Sequence, residues 1–291
     1  MKILVIGCRG QVGSELMATL ACVGSVVGIG RSEVDVADHD KLRRVIREAS
    51  PDLIVNASAY NEVDRAEVDE KTAFTINCES VALMGEEMKK TKGGLIHYST
   101  DFVFDGKIDR PYKESDSTNP LSRYGASKLA GEQALSAMKA PAIVLRTAWV
   151  WSVKKKSFVS TMLRLAREKS ALDVVSDQIG SPTNARDLAQ ATGHIIYNLR
   201  HSIHKSFRKT RGVYHAVGDG FCSRYEFAQE ILKSDPYQFE HKVKSLNPVS
   251  TEKFKLPALR PTFAPLDCGL LESTFGIKLP HWRDSLHRDL T

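Results

Sequence analysis

KILVIGCRGQVGSELMATLACV, Lys2 to Val23, decides the fold. Lys2 to Gly7 is a short run rich in β-formers, CRGQVG follows, and SELMATLACV carries apolar residues at helical spacing. The order is strand, glycine turn, helix. Gly7, Gly10 and Gly13 are spaced G-x-x-G-x-x-G, which differs from the commoner G-x-G-x-x-G. Small residues let such a turn bend sharply and approach a pyrophosphate, and the helix N-terminus behind it offers free N–H groups and a favourable dipole. A glycine turn can serve any α/β protein. The strand before this one and the helix after it point to a dinucleotide site, with Gln11 and Val12 of the same turn among its candidate residues.

Outward from this unit, the pattern repeats. SVVGIG, Ser25 to Gly30, reads as a second strand. An acidic residue at its end would hold a ribose hydroxyl and favour NAD. Arg31 and Ser32 stand there instead. They either accept a 2′-phosphate, favouring NADP, or belong to an exposed loop. DVAD, with Asp35 and Val36, caps the amphipathic HDKLRRVIREAS. Leu53 to Asn56 is a third strand. Ligands of open α/β sheets bind beyond the carboxyl ends of strands, which selects Asn56, Ala57, Ala59 and Tyr60. AFTINCESVALMGEEMKK predicts one long helix. GGLIHYST, Gly93 to Thr100, is a fourth strand ending in Ser99-Thr100-Asp101, and APAIVLRTAWVW, from Ala140, a fifth. Alternating strands and helices predict an α/β fold: a doubly wound, parallel, Rossmann-like sheet with a smaller C-terminal substrate lobe. The expected division gives 1–151, with about 187–217, to the dinucleotide-binding domain. The substrate-binding lobe takes 152–186 and 218–291.

The 291 residues suffice for a large core, and 42% are hydrophobic. Five scattered cysteines without CxxC spacing suggest reduced thiols in a cytoplasmic protein, neither a zinc site nor a disulfide framework. No stretch reaches the length of a membrane span. The net charge of +6 is concentrated at Lys154 to Lys156 and in HSIHKSFRKTR, His201 to Arg211. Aromatic–basic interleaving is absent, so no nucleic-acid partner is expected. A mild positive field suits an anionic, phosphate-bearing ligand. The second basic segment reads as a solvated connection.

YGASKLAGE, Tyr124 to Glu132, sets a phenol and an ammonium four residues apart, on one face of a helix. A nearby cation stabilises phenolate, and such a tyrosine can exchange protons near neutral pH. Alone, the spacing equally fits an ordinary surface helix.

Together these segments resemble the dTDP-4-dehydrorhamnose reductase family of the extended short-chain dehydrogenase/reductases, over nearly the whole chain. GCRGQVG looks like the family's glycine loop, VNASAYNEVDRAE its third-strand motif and STDFVFDG its fourth-strand motif. RTAWVW, DQIGSPT and LRPTFAPLD resemble its substrate-side motifs. The resemblance implies an NADPH-dependent reductase of the 4-keto group of dTDP-4-dehydro-L-rhamnose, with NADH as a second cofactor. Tyr124 would be the general acid. Lys128 would lower its pKa and bond the nicotinamide ribose, and Thr100 would bond the keto oxygen. Asn61, Val63, Asp101, Phe102, Trp149, Gln178 and Arg260 would face the dTDP-linked sugar, Arg260 gripping its diphosphate. Phe102 replaces a customary tyrosine and loses a hydroxyl. Some relatives pair through a metal held by acidic side chains. Glu15 matches one such position, but Arg186 stands where a second carboxylate is expected, which argues against Mg2+ at a dimer interface. A homodimer without it stays open. Two rival readings remain. One is a reductase or epimerase of another nucleotide-linked keto sugar. The other is a non-catalytic NADP-binding regulatory subunit resembling the β subunit of methionine adenosyltransferase.

Overall fold

The computed structural model describes residues 1–291. Six parallel strands form one sheet: β1 (Lys2–Ile6), β2 (Ser25–Ile29), β3 (Leu53–Asn56), β4 (Gly94–Thr100), β5 (Ala142–Thr147) and β6 (Gly212–His215), in the order β6-β5-β4-β3-β1-β2. LIVN, GLIHYST and AIVLRT are buried along their whole length because helices cover both faces of the sheet. One face packs on α1 (Gln11–Leu20) and the helix Ala185–Leu199 through Leu16, Leu20, Leu188 and Ile195. The other packs on α2 (His39–Ala49) and α3 (Ser80–Thr91) through Leu42, Ile46, Met84 and Met88. Strand order reverses between β1 and β3, and a ligand crevice is expected above that point. Asp38 caps α2 by accepting from the Lys41 N–H at 3.0 Å.

Three sequence expectations need correction. The long helix through AFTINCESVALMGEEMKK is interrupted by a π-helical turn, Thr75–Glu79, between Glu70–Phe74 and α3. That turn aims Asn77 inward, where its amide bonds both the N–H and the carbonyl of Tyr60 and donates to the Ser127 hydroxyl. The fifth strand stops at Thr147. Trp149 takes a left-handed φ of 43°, and Val150–Trp151 pairs with Thr183–Asn184 outside the main sheet. Finally, HSIHKSFRKTR is more than a solvated connection. It holds the helix Ile203–Thr210, whose polar face is basic while Phe207 is fully buried against Gly94 of β4.

Beyond β5 the chain adds the helix Phe158–Glu168, the helix Arg224–Ser234 started by a Ser223/Glu226 capping box, and the C-terminal helix Trp282–Leu290. Trp151, Val159, Phe227, Ile231 and Trp282 form their separate core. Two parallel strands, Ala171–Val175 and Ser245–Val249, flank it. No helix is long and apolar enough to cross a membrane.

Candidate active site

A cleft of about 680 Å³ runs across the carboxyl ends of the sheet, from the glycine turn to Trp149. At its first end, Gly7 holds φ at +82°, and a Cβ there would lie 2.7 Å from the Ala57 backbone. A Cβ on Gly13 would lie 2.0 Å from the Gly7 carbonyl oxygen. Gly13 therefore lets α1 close onto the turn and does not itself line the cleft. Gly10 is the N-cap of α1 and offers no side-chain acceptor, so the first N–H groups of the helix stay free of a side-chain cap. Gln11 Oε1 is buried beside them without a hydrogen-bond partner. A backbone cradle and uncapped helix N–H groups fit the pyrophosphate of a dinucleotide, while the Gln11 oxygen, an acceptor, suits a hydroxyl donor such as a ribose.

Val12, Arg31, Asp35, Val36, Ala57 and Ala59 also line the cleft. Arg31 is exposed and only loosely paired with Asp35 at 3.7 Å, which leaves its guanidinium available. Ser32 turns away and donates to Glu33. Glu33 also accepts from the Gly30 N–H and pairs with Arg9, a cleft residue the sequence reading passed over although it lies inside the glycine turn. Tyr60 also leaves the cleft: its backbone bonds Asn77 and its phenol donates to Asp69 at 3.2 Å.

At the other end, Thr100, Asp101, Phe102, Tyr124 and Lys128 meet where β4 ends against the helix α4 (Arg123–Ala137). Ser122 caps α4 and sets Tyr124 in its first turn. Tyr124 is half-buried and packs edge-on against Phe102, ring centroids 5.6 Å apart. Burial pushes its phenol up to about 12, partly offset by the Thr100 hydroxyl and reinforced by the charge on Asp101. Thr100 Oγ1 accepts from the Phe102 N–H at 3.2 Å and donates to Asp101 Oδ1 at 3.0 Å. Burial pushes the Asp101 carboxyl up to about 6, against the Thr100 hydrogen bond and the Arg224 charge.

The predicted Tyr124–Lys128 pairing takes a different form. Lys128 is 2% exposed, and its Nζ donates to the Tyr98 carbonyl at 2.5 Å and meets His97 Nε2 at 3.2 Å. A buried amine needs acceptors, and strand β4 supplies them before the phenol does. Burial pushes Lys128 down to about 8.

The second lobe closes this end. Arg224 lies 3.6 Å over the Trp149 ring, and Arg260 grips Asp64 with two nitrogens at 3.1 and 2.7 Å. Asn61 and Val63 line the cleft between these groups. Gln178 does not. It donates to Thr251 and lines an adjoining cavity of about 580 Å³ that shares Arg224 and Arg260 with the cleft. Arg224 was missed because FCSRYEFAQEILK reads as an amphipathic helix, and no local signal marks its first residue as cleft-facing.

Glu15, the position matching a metal-holding carboxylate, accepts from Lys154 at 2.8 Å, and Arg186 faces Asp289 at 3.8 Å. No group of three or more His, Cys, Asp or Glu side chains is placed to hold a metal ion. Within this chain, Glu15 is thus engaged by an ammonium, and Arg186 is a cation where a second carboxylate was sought.

A family model described as the RmlD substrate binding domain matches residues 1–291. A dTDP-4-dehydrorhamnose reductase of Burkholderia thailandensis is 42% identical over 287 residues, 97% of this chain and 96% of its own. Among solved structures, a dTDP-4-dehydrorhamnose reductase of Clostridium acetobutylicum is 32% identical, with a TM-score of 0.89 over 100% of this chain and 98% of its own. One from Bacillus anthracis, in complex with NADP, is 31% identical, with a TM-score of 0.87 over 99% and 98%. A match of this extent in sequence and in fold has one consequence: the chain belongs to the dTDP-4-dehydrorhamnose reductase family.

Proposed function

We propose that this chain reduces the 4-keto group of dTDP-4-dehydro-L-rhamnose to give dTDP-L-rhamnose, with NADPH preferred and NADH as the weaker donor. The observation that carries the reading is the meeting of Thr100, Tyr124 and Lys128 at one end of a cleft whose other end is the glycine turn. The relatives' names support the sugar, and the NADP bound to the Bacillus anthracis protein supports the cofactor.

Gly7, Gly10, Gln11, Val12 and the α1 N-terminus would hold the pyrophosphate, with Gly13 shaping the turn. Arg31, with Arg9 beside it, would take the 2′-phosphate. Held there, a reduced nicotinamide would supply the hydride. As hydride arrives, negative charge builds on the sugar's keto oxygen. Tyr124 donates its phenolic proton there, and Thr100 adds a hydrogen bond. A charged Lys128 lowers the cost of the phenolate left behind. Arg260 and Arg224 would bind the diphosphate, and Trp149 would flank the sugar. The same reading assigns 1–151, with about 187–217, to the cofactor and 152–186 and 218–291 to the substrate.

The test is an absorbance assay of purified protein with NADPH and dTDP-4-dehydro-L-rhamnose. One nicotinamide oxidised per sugar consumed is expected. An epimerase would leave the reduced nicotinamide intact, and a regulatory subunit would bind NADPH without consuming the sugar.

A further inference from the structure

Lys128 does not rest on Tyr124, and what it rests on has a defined hydrogen-bond direction. The chain of contacts begins at a backbone N–H, which can only donate. Ser58 N–H donates to Asn56 Oδ1 at 3.0 Å, and the Ser58 hydroxyl donates to the same oxygen at 2.6 Å. The Asn56 amide therefore cannot be turned over, and its Nδ2 faces His97 Nδ1 at 3.0 Å. Nδ2 is a donor, so Nδ1 must accept. His97 is fully buried, and burial holds its pKa well below the ordinary range, so the ring is neutral. Its single proton then sits on Nε2, 3.2 Å from Lys128 Nζ. An ammonium has no lone pair, and two donors would face each other. A neutral amine resolves this: it accepts from Nε2–H and still donates to the Tyr98 carbonyl.

We propose that His97, fixed in one tautomer by Asn56, is a positioning residue that biases Lys128 towards its neutral amine until the dinucleotide binds, so that at alkaline pH cofactor binding takes up a proton at Lys128. This rests on the reading that the cleft binds a nicotinamide dinucleotide. Ribose hydroxyls offer acceptors that an ammonium can use and His97 does not. Once charged, Lys128 can stabilise the Tyr124 phenolate, so above about pH 8 the proton donor is tuned only when cofactor is present.

Of the other groups around Lys128, only Glu132 favours the ammonium through its charge, and burial outweighs it. Tyr124, half-buried on the same helix, stays a neutral phenol. Glu132, also on α4, is held by Arg146 at 2.6 Å and by the Ser99 hydroxyl. The Tyr98 phenol is turned to Thr192, and Asp101 is engaged by Thr100. The π turn packed on α4 presents neutral Asn77 to Ser127. Burial moves Lys128 in the same direction, down to about 8.

The experiment is calorimetric titration of NADPH into the protein at pH 8.5 in buffers of different ionisation enthalpy, with affinity also followed from pH 7 to 9.5. Wild type should take up most of one proton per site, and its affinity should weaken as pH rises above about 8. His97→Gln places a carbonyl oxygen near the Nε2 position and should let the free protein hold an ammonium. Its proton uptake should fall towards zero and its affinity should lose most of that pH dependence, with binding retained. Lys128→Met should bind NADPH without that proton uptake. Wild-type binding without proton uptake, or undiminished uptake in His97→Gln, would overturn the proposal. Absence of NADPH binding in wild type would instead defeat the dinucleotide reading.

Discussion

At the residue scale, the fate of one hydroxyl proton matters. Thr100 has a single proton to give, and in this structure it goes to Asp101. While Asp101 is ionised, Thr100 is a poor donor to a keto oxygen. When Asp101 is protonated it can donate to Thr100, and the Thr100 proton is released towards the substrate. The carboxyl sits at about 6, raised from 3.8, so it gains its proton as pH falls through that value. The rate of reduction at saturating substrate should therefore rise as pH falls through about 6, and Asp101→Asn should flatten that limb. A wild-type profile flat between pH 5 and 7.5 would contradict this coupling. Strand end and helix face, both local properties, offered Thr100 with Asp101 and Tyr124 with Lys128 as two pairs, and the family resemblance joined them in one site. The sequence reading missed that Lys128 leans on His97, since no spacing rule links a mid-strand histidine to a helix 31 residues on.

At the element scale, a carboxylate ties two helices together. Glu87 on α3 is buried and accepts from Arg43 and Arg47 on α2, the latter at 2.8 and 3.1 Å. Hydrogen bonds from Arg47 dominate in lowering its carboxyl from 4.5 to about 2, with Lys90 and Arg43 adding to the effect. A group lowered this way adds stability that is complete above about pH 4.5 and is lost as pH falls towards 2. Glu87→Gln should cost about 1–3 kcal/mol at pH 7 in denaturant unfolding, and the gap should close in acid. Equal stability of the two proteins at pH 7 would refute the tie. Helix existence here was legible from amphipathic spacing and caps. The π turn at Thr75–Glu79 was not, because it answers to Tyr60 and Ser127 packed against it. The helix Ile203–Thr210 escaped for a similar reason: one buried Phe207 among basic residues shows its value only when Gly94 leaves room for the ring.

At the scale of the whole molecule, the cleft is finished by residues far apart in the chain. Arg260 reaches Asp64, 196 positions away, and Arg224 stacks on Trp149. The family motifs flagged Arg260 and Trp149, but Arg224 has no motif and needed the folded chain. With Asp64 holding its fork in place, Arg260 is preset for a diphosphate. Arg260→Ala should raise KM for the dTDP-sugar by about 10- to 100-fold, with a smaller change in kcat and unchanged NADPH affinity. A loss confined to kcat would move Arg260 out of the binding role.

The central claim is that Tyr124 delivers the proton to the keto oxygen. Its most direct test measures NADPH oxidation on dTDP-4-dehydro-L-rhamnose by wild type and Tyr124→Phe, with NADPH affinity determined on the same samples. The account predicts one NADPH consumed per sugar by wild type, a fall of about 10²- to 10⁴-fold in kcat for the variant, and nearly equal NADPH affinities. Turnover of Tyr124→Phe within a few fold of wild type would contradict it.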